Sequence, residues 1–338
     1  MAEVLVTGGS GYIGSYCILA LLNAGFSVRT TVRDLAREPQ VRSQLRNGGA
    51  DTAANLRVVR AELRSDEGWR EAVDGCQAVL HVASPTLTQV PRNDDEMVRP
   101  AVDGTLRVLR AARDAGVRRV VMTSAIGAIA YGHAPRNAPF TEQDWTNVDA
   151  DIAPYQKSKT LAERAAWDFV AGEGRGLELA TVNPTGVLGP ALGPDYSPSL
   201  IAIARMLDGS MPALLPFATG YVDVRDAASL HLLAMIEPAA AGERFIATAG
   251  HSLWLRDVAA VLRQRLGERA AKVPTREMPL WVARALARVN PQVRSLRAAL
   301  GRDLDATSAK AERVLGWKPR PIEDTIVETA ESLLALPK

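Results

Sequence analysis

A chain of 338 residues with 47% hydrophobic and 23% charged side chains has the balance of a soluble globular protein, long enough for one large domain or two ordinary ones. Its formal charge of +2 arises from Lys and Arg scattered among Asp and Glu, with no basic stripe to suit nucleic acid. The most apolar stretch, VVMTSAIGAIAY at 120–131, is too short and broken to span a bilayer, so no membrane partner is expected.

Strand-like EVLVTGG begins at the third residue, so no signal peptide is expected and a cytoplasmic location is. The β-branched runs at 3–7, 27–32, 56–59, 78–83, 118–124 and 177–184 predict strands, and their near-continuous apolar character suits strands covered on both faces. Helical patterns at 12–24, 66–74, 95–115 and 155–172 alternate with them. Strand and helix in repeated alternation predict an α/β fold with a doubly wound parallel sheet. Beyond residue 184 a Pro- and Gly-rich loop runs from 185 to 200, followed by a helix at 199–208. Runs at 220–224 and 244–250 read as late additions to the sheet, and 253–268 and 276–300 as helices. Trp281 and its apolar neighbours read as lobe core, with a partner surface as the other reading. The expected division is residues 1–186 and 219–250 for the sheet domain, and 187–218 and 251–338 for a smaller, discontinuous C-terminal lobe.

The first strand runs into VTGGSGYIGS, which places Gly8, Gly11 and Gly14 at G-x-x-G-x-x-G spacing before a helix. One glycine serves the tight turn, one the close approach of a pyrophosphate, and one the packing of helix on strand. Free N–H groups at the helix N-terminus would face the phosphates. Dinucleotide binding is therefore expected. A site for NAD would hold a carboxylate about 20 residues further on, against the ribose 2′-hydroxyl. TTVRD puts Arg33 there, a guanidinium suited to the 2′-phosphate of NADPH, while the adjacent Asp34 keeps NADH open as the less favoured choice.

In IAPYQKSK, Tyr155 precedes Lys159 by four residues on a predicted helix, so both project from one face. An ammonium there would lower the pKa of the phenol and make it a better proton donor or acceptor near neutral pH.

Together TGGSGYIGS, TTVRD, VVMTSAIGA, YQKSK and NPTGVLGP resemble the extended short-chain dehydrogenase/reductase superfamily, and within it the dihydroflavonol-reductase and cinnamoyl-CoA-reductase branch with its bacterial aldehyde and ketone reductases. The resemblance covers essentially the whole chain and implies a Rossmann domain that binds NAD(P). By position it implies Tyr155 as catalytic acid/base, with Lys159 lowering its pKa and holding the nicotinamide ribose. It implies a cofactor lining of Gly8, Gly11, Tyr12, Ile13, Gly14, Arg33, Val82, Ala83, Ser84, Pro184, Thr185, Gly186 and Val187. Glu62 and Leu63 stand at the adenine in place of the usual Asp-Leu. The family's carbonyl-polarising serine is replaced by Ala125, which leaves Ser124, or else Thr123, as the expected donor.

Between Thr185 and Val222 the only charged residues are Asp195, Arg205 and Asp208. Leu188, Leu192, Met206, Met211, Leu214, Leu215 and Phe217 suggest an apolar pocket, with Ser84 and Tyr196 as polar substrate contacts. The expected substrate is a small or medium hydrophobic aldehyde or ketone. A nucleotide-sugar epimerase or dehydratase, with a basic lobe and retained NAD, is one alternative; a non-catalytic NADPH-binding sensor is another. His81, His133, His231 and His251 have no metal-ligand spacing, and no metal is expected. Cys17 and Cys76 read as small buried hydrophobes in a reducing compartment. The protein is expected as a monomer or homodimer.

Overall fold

The protein, examined as a computed structural model, is described over residues 2–50, 55–85, 93–193 and 197–336. Its strands in chain order are β1 Glu3–Thr7, β2 Ser27–Val32, β3 Leu56–Arg60, β4 Ala78–His81, β5 Arg119–Thr123, β6 Glu178–Pro184, β7 Gly186–Leu188, β8 Ala218–Thr219, β9 Tyr221–Asp223, β10 Arg244–Ala247, β11 Leu253–Trp254 and β12 Asp303–Leu304. The helices are α1 Tyr12–Asn23, α2 Glu38–Asn47, α3 Trp69–Val73, α4 Asp95–Asp114, α5 Pro154–Ala171, α6 Pro198–Asp208, α7 Val224–Ile236, α8 Leu255–Leu266, α9 Leu280–Val289, α10 Pro291–Arg294, α11 Ala309–Leu315 and α12 Ile322–Ala335.

Seven strands form one parallel sheet in the order β10-β6-β5-β4-β1-β2-β3. The order reverses across β1 and β4, so the cleft above their C-terminal ends is where such a sheet binds its ligand. Alternate residues of each strand feed two cores. Val4, Val6, Leu80, Val121, Val182 and Phe245 pack with Ile18 of α1 and Leu230 of α7. Leu5, Val79, Val120 and Leu179 pack on the other face with Leu109 of α4 and Ala162 and Phe169 of α5. This is the doubly wound α/β architecture that the alternation of strand and helix predicts.

The C-terminal lobe has its own core, in which Leu200, Ile203 and Met206 of α6 meet Val258 and Leu262 of α8 and Ile326 of α12. Three expectations need correction here. Residues 220–224 do not add to the main sheet: β9 pairs with β7, which continues directly from β6 and leaves no edge for it there. The stretch 276–300 is broken into α9 and α10, because Asn290 ends one helix and caps the next, its side chain accepting from the N–H groups of Gln292 and Val293. Trp281 is not lobe core. It is 75% exposed, since Ala283 and Ala287 are the positions of α9 that face inward. Helices α2, α11 and α12 were not foreseen.

The start of α7 is a salt-bridged cap. Asp223 accepts from the Arg225 backbone N–H and guanidinium, and Arg320 grips Asp226. Cys17 and Cys76 are both free and buried.

The most densely bonded buried charge is Glu163 on α5, which has no solvent exposure. Its carboxylate accepts from Ser124 at the end of β5 (2.5 Å), from Thr181 (3.2 Å) and Asn183 (2.7 Å) of β6, and from Arg244 of β10 (2.6 Å). Arg244 in turn donates to the carbonyls of Glu142 and Asp144 and stacks on Trp145, 3.7 Å from the ring centre. One carboxylate thus ties α5 to three strands. Glu163→Ala leaves Arg244 buried without its counter-charge and is expected to cost about 3–5 kcal/mol in urea unfolding. A loss below about 1 kcal/mol would show that α5 is held by its apolar face alone.

Candidate active site

Gly8 ends β1 with φ +73°, a left-handed conformation that costs an L side chain steric strain. A Cβ there would also lie 3.0 Å from the Ala83 backbone, and a Cβ on Gly14 would lie 2.4 Å from the Gly8 carbonyl oxygen. The Gly11 N–H donates to that same carbonyl at 3.0 Å, and exposed Gly11 caps α1. The turn therefore needs its glycines, and the first N–H groups of α1, from Tyr12, Ile13 and Gly14, are left facing the cleft. Behind the turn, Thr7 binds the Ala83 N–H at 2.9 Å and shares a hydrogen bond with His81 Nδ1 at 3.0 Å. Val82, Ala83 and Ser84 are held over Gly8 in this way, with Ser84 exposed.

Arg33 follows β2 directly, exposed and with no ionic or hydrogen-bonded partner among the described residues. Asp34, by contrast, already accepts from the Ala36 N–H at 2.9 Å as the cap of a short turn. Half-buried Glu62 and buried Leu63 follow β3. At the other side of the sheet, Pro184, Thr185, Gly186 and Val187 bridge β6 and β7, with Thr185 fastened to the Ala247 carbonyl. A glycine turn, an open helix terminus and a partner-free guanidinium make a set that fits a dinucleotide carrying a 2′-phosphate.

Pro154 starts α5, and the chain presents Tyr155 in the first turn. Tyr155 is 46% exposed at the cleft, yet the protein around its phenol raises the pKa to about 12, the nearby Tyr131 phenol adding to the effect of burial. Lys159 is buried, and burial lowers its pKa to about 8, with Glu163 acting in the opposite direction. Lys159 is not among the groups that act on the Tyr155 phenol in this arrangement. Lys159 turns instead to the end of β5, its Nζ donating to the Thr123 carbonyl at 3.4 Å.

Ser124 and Thr123, the two expected carbonyl donors, are both committed elsewhere. The Ser124 hydroxyl donates to Glu163, and the Thr123 hydroxyl donates to His231 Nε2 at 2.7 Å, whose Nδ1–H binds the Ala227 carbonyl. Ala125, at the place of the family's serine, has no donor, and a Cβ built on Gly127 would lie 3.5 Å from the Tyr155 ring and 3.8 Å from the Ala125 Cβ. The partners that engage Thr123 and Ser124 come from α7 and α5, which the sequence match could not weigh.

The structure adds three residues to this site. Tyr131 stands within electrostatic reach of Tyr155, Tyr221 and Gln156. No motif flagged them; the only available signal was the adjacency of Gln156 to Tyr155.

The expected apolar substrate lining is largely core. Leu188 and Met206 are fully buried, and Leu214 and Leu192 are nearly so. The apolar stripe of α6 recurs at helical spacing because it faces α8 and α12. Met211, Leu215 and Phe217 are only partly buried against that core and remain available to a ligand. Tyr196 lies outside the described residues. Among the described residues no cluster could hold a metal ion, and no helix is long and apolar enough to cross a membrane.

With this geometry in hand, the chain proves to match the NAD dependent epimerase/dehydratase family over residues 4–247, and it belongs to that family, the extended short-chain dehydrogenases/reductases. It is 33% identical to the cinnamoyl-CoA reductase CAD2 of Medicago truncatula, over 98% of this chain and 95% of that one. It is 35% identical to a dihydroflavonol 4-reductase of Zea mays, over 78% of this chain and 74% of the relative. The solved structure of Gre2 from Candida albicans in complex with NADPH superposes with a TM-score of 0.80 at 25% identity, covering 99% of both chains. These relatives place the chain among the oxidoreductases of the family.

Two buried histidines tie this region to pH. Burial lowers the His81 pKa to about 3, helped by nearby Lys159, and the His231 pKa to about 4 against the pull of its bond to Ala227. As pH falls below about 6.5 the unfolded chain protonates both rings while the folded chain keeps them neutral. Stability is therefore lost with falling pH, by up to about 1.4 kcal/mol per pH unit for each ring, until the folded values are reached. Urea unfolding between pH 6.5 and 4.5 should show His231→Gln with a slope shallower than wild type by about that amount. Identical slopes would mean His231 is charged in the fold.

Proposed function

We propose that the protein is an NADPH-dependent carbonyl reductase that transfers a hydride to a small or medium hydrophobic aldehyde or ketone. The observation that most supports this is Tyr155, open to the cleft at the start of α5 with its phenol kept protonated, one helical turn from a buried amine. A bound nicotinamide would supply the hydride. Tyr155 then gives its proton to the carbonyl oxygen as charge develops there. Lys159, cationic below about pH 8, stabilises the phenolate that is left and holds the ribose hydroxyls through which the proton is replaced.

The cradle of Gly8, Gly11, Tyr12, Ile13 and Gly14 would carry the diphosphate and Arg33 the 2′-phosphate. The engagement of Asp34 as a turn cap supports NADPH over NADH, because its carboxylate is already in use. Glu62 and Leu63 would meet the adenine, Val82 to Ser84 the ribose, and Pro184 to Val187 the nicotinamide side. Met211, Leu215 and Phe217 support an apolar substrate.

The test is oxidation of NADPH and NADH against a panel of aliphatic and aromatic aldehydes, ketones and ketoesters. Tyr155→Phe is expected to lower kcat by about 100-fold or more with NADPH binding retained. Arg33→Ser should reduce the preference for NADPH over NADH by about 10- to 100-fold, the worth of a charge-assisted phosphate contact. Undiminished turnover in Tyr155→Phe would remove this reading, and an unchanged cofactor ratio would remove Arg33 from it.

A further inference from the structure

We infer that the exposed face of α9 is a docking surface for an anionic phospholipid bilayer, on which the protein lies with Trp281 in the headgroup layer and its arginines on the lipid phosphates. The sequence carries the charge for this in one run. Met278 to Arg302 contains Arg284, Arg288, Arg294, Arg297 and Arg302 and no carboxylate, in a chain whose overall formal charge is only +2. The run is therefore a local excess and not a general basicity.

The fold turns that excess outward. Ala283 and Ala287 face the lobe, where they pack with Val293 and Leu300. The opposite face of α9 places Trp281, Ala285 and Val289 in one row at i, i+4 and i+8, with Arg284 and Arg288 in the row beside it. Trp281 is 75% exposed and Val289 76%, whereas the protein's other tryptophans are buried or half-buried. Neither the Arg284 nor the Arg288 guanidinium has an ionic or hydrogen-bonded partner among the described residues. Two adjoining cavities of about 460 and 470 Å³ share these two arginines. Leu280, Trp281 and Ala285 complete the first; Arg294, Arg297 and Asp151 help to line the second, and the Asp151 carboxylate is already paired with Arg297.

An outward ridge of Trp and Val flanked by arginines is the pattern of a helix that lies in a membrane interface, where the indole sits at headgroup level and the guanidiniums pair with phosphates. The arginine-lined cavity beside it suits a lipid headgroup. An acidic protein segment would satisfy the arginines but leave the projecting ridge in water, whereas a fluid interface covers both without a shaped counterpart. The ten residues of α9 span about 15 Å, too short to cross a bilayer, so the helix lies along its surface. The surface is fastened to the lobe, since Arg276 and Met278 bracket Leu214 with backbone hydrogen bonds of 3.0 and 2.8 Å and Leu215 packs against the α9 cluster.

The wild-type protein should cosediment with large vesicles of two parts phosphatidylcholine to one part phosphatidylglycerol, and stay in solution with phosphatidylcholine alone. Arg284→Ala combined with Arg288→Ala should weaken that binding by about 25-fold, about fivefold for each arginine. Salt at about 1 M, where charges are screened within about 3 Å, should release the protein. Tryptophan emission should shift to shorter wavelength on adding the anionic vesicles, and the shift should vanish in Trp281→Phe. All three positions are exposed, and unchanged midpoints of urea unfolding will show that the variants are folded. Absence of cosedimentation at low salt overturns the inference, as does binding that the arginine changes leave within twofold. Capture on polyglutamate beads without binding to the anionic vesicles overturns it in favour of an acidic protein segment. A dimer in light scattering that Trp281→Ser splits, again without vesicle binding, overturns it in favour of a second copy of the chain. None of these readouts involves turnover, so each stands apart from the reductase reading.

Discussion

The arrangement depends on the buried carboxylate of Glu163. Placed at i+8 from Tyr155 and i+4 from Lys159, it lies along the same face of α5 and reaches the ends of β5, β6 and β10 in one constellation. A fully desolvated carboxylate is tolerable only when its lone pairs are filled, and here Ser124, Thr181, Asn183 and Arg244 fill them. The position of Tyr155 over the cleft is thus set by a bond network two helical turns away. The same network takes the Ser124 hydroxyl out of circulation. A structural demand and a catalytic one compete for a single serine, and the structural demand prevails.

The other half of the site depends on backbone rather than charge. Gly8 in a left-handed turn, the Gly14 contact with the Gly8 carbonyl, and the Thr7 bond to Ala83 bring β1, α1 and the segment after β4 into van der Waals contact. No side chain could be added to Gly8 or Gly14 without moving another piece of main chain. The two halves meet where His81 faces Thr7 and feels the Lys159 charge, which, after burial itself, helps keep that ring neutral.

Much of this was legible in order of residues. The first six strands came from β-branched runs, and the parallel sheet from their alternation with helices. The glycine turn, Arg33, and the Tyr155–Lys159 pair came from short-range spacing, which survives folding because a helix or a tight turn imposes it locally. The errors arose where one pattern has two meanings. Leu188, Met206 and Leu214 have the apolar character of a pocket and equally of a core, and only the approach of α8 and α12 makes them core. Trp281 and the run at 220–224 were misplaced for the same reason: partner elements, not local propensity, decide which face is covered and which edge is free.

The sequence alone determined that a doubly wound sheet would carry a glycine-rich turn, a guanidinium after β2 and a tyrosine–lysine pair on one helical face, because each of these is a property of neighbours in the chain. Only the tertiary structure decided which hydroxyl is free to act. Thr123 and Ser124 are adjacent in sequence, yet one bonds His231 from α7 and the other bonds Glu163 from α5. Extended backbone turns successive side chains to opposite faces, so their partners come from elements more than thirty residues away. The approach of Tyr131 to both Tyr155 and Tyr221 is of the same kind, brought about by packing that no local spacing encodes.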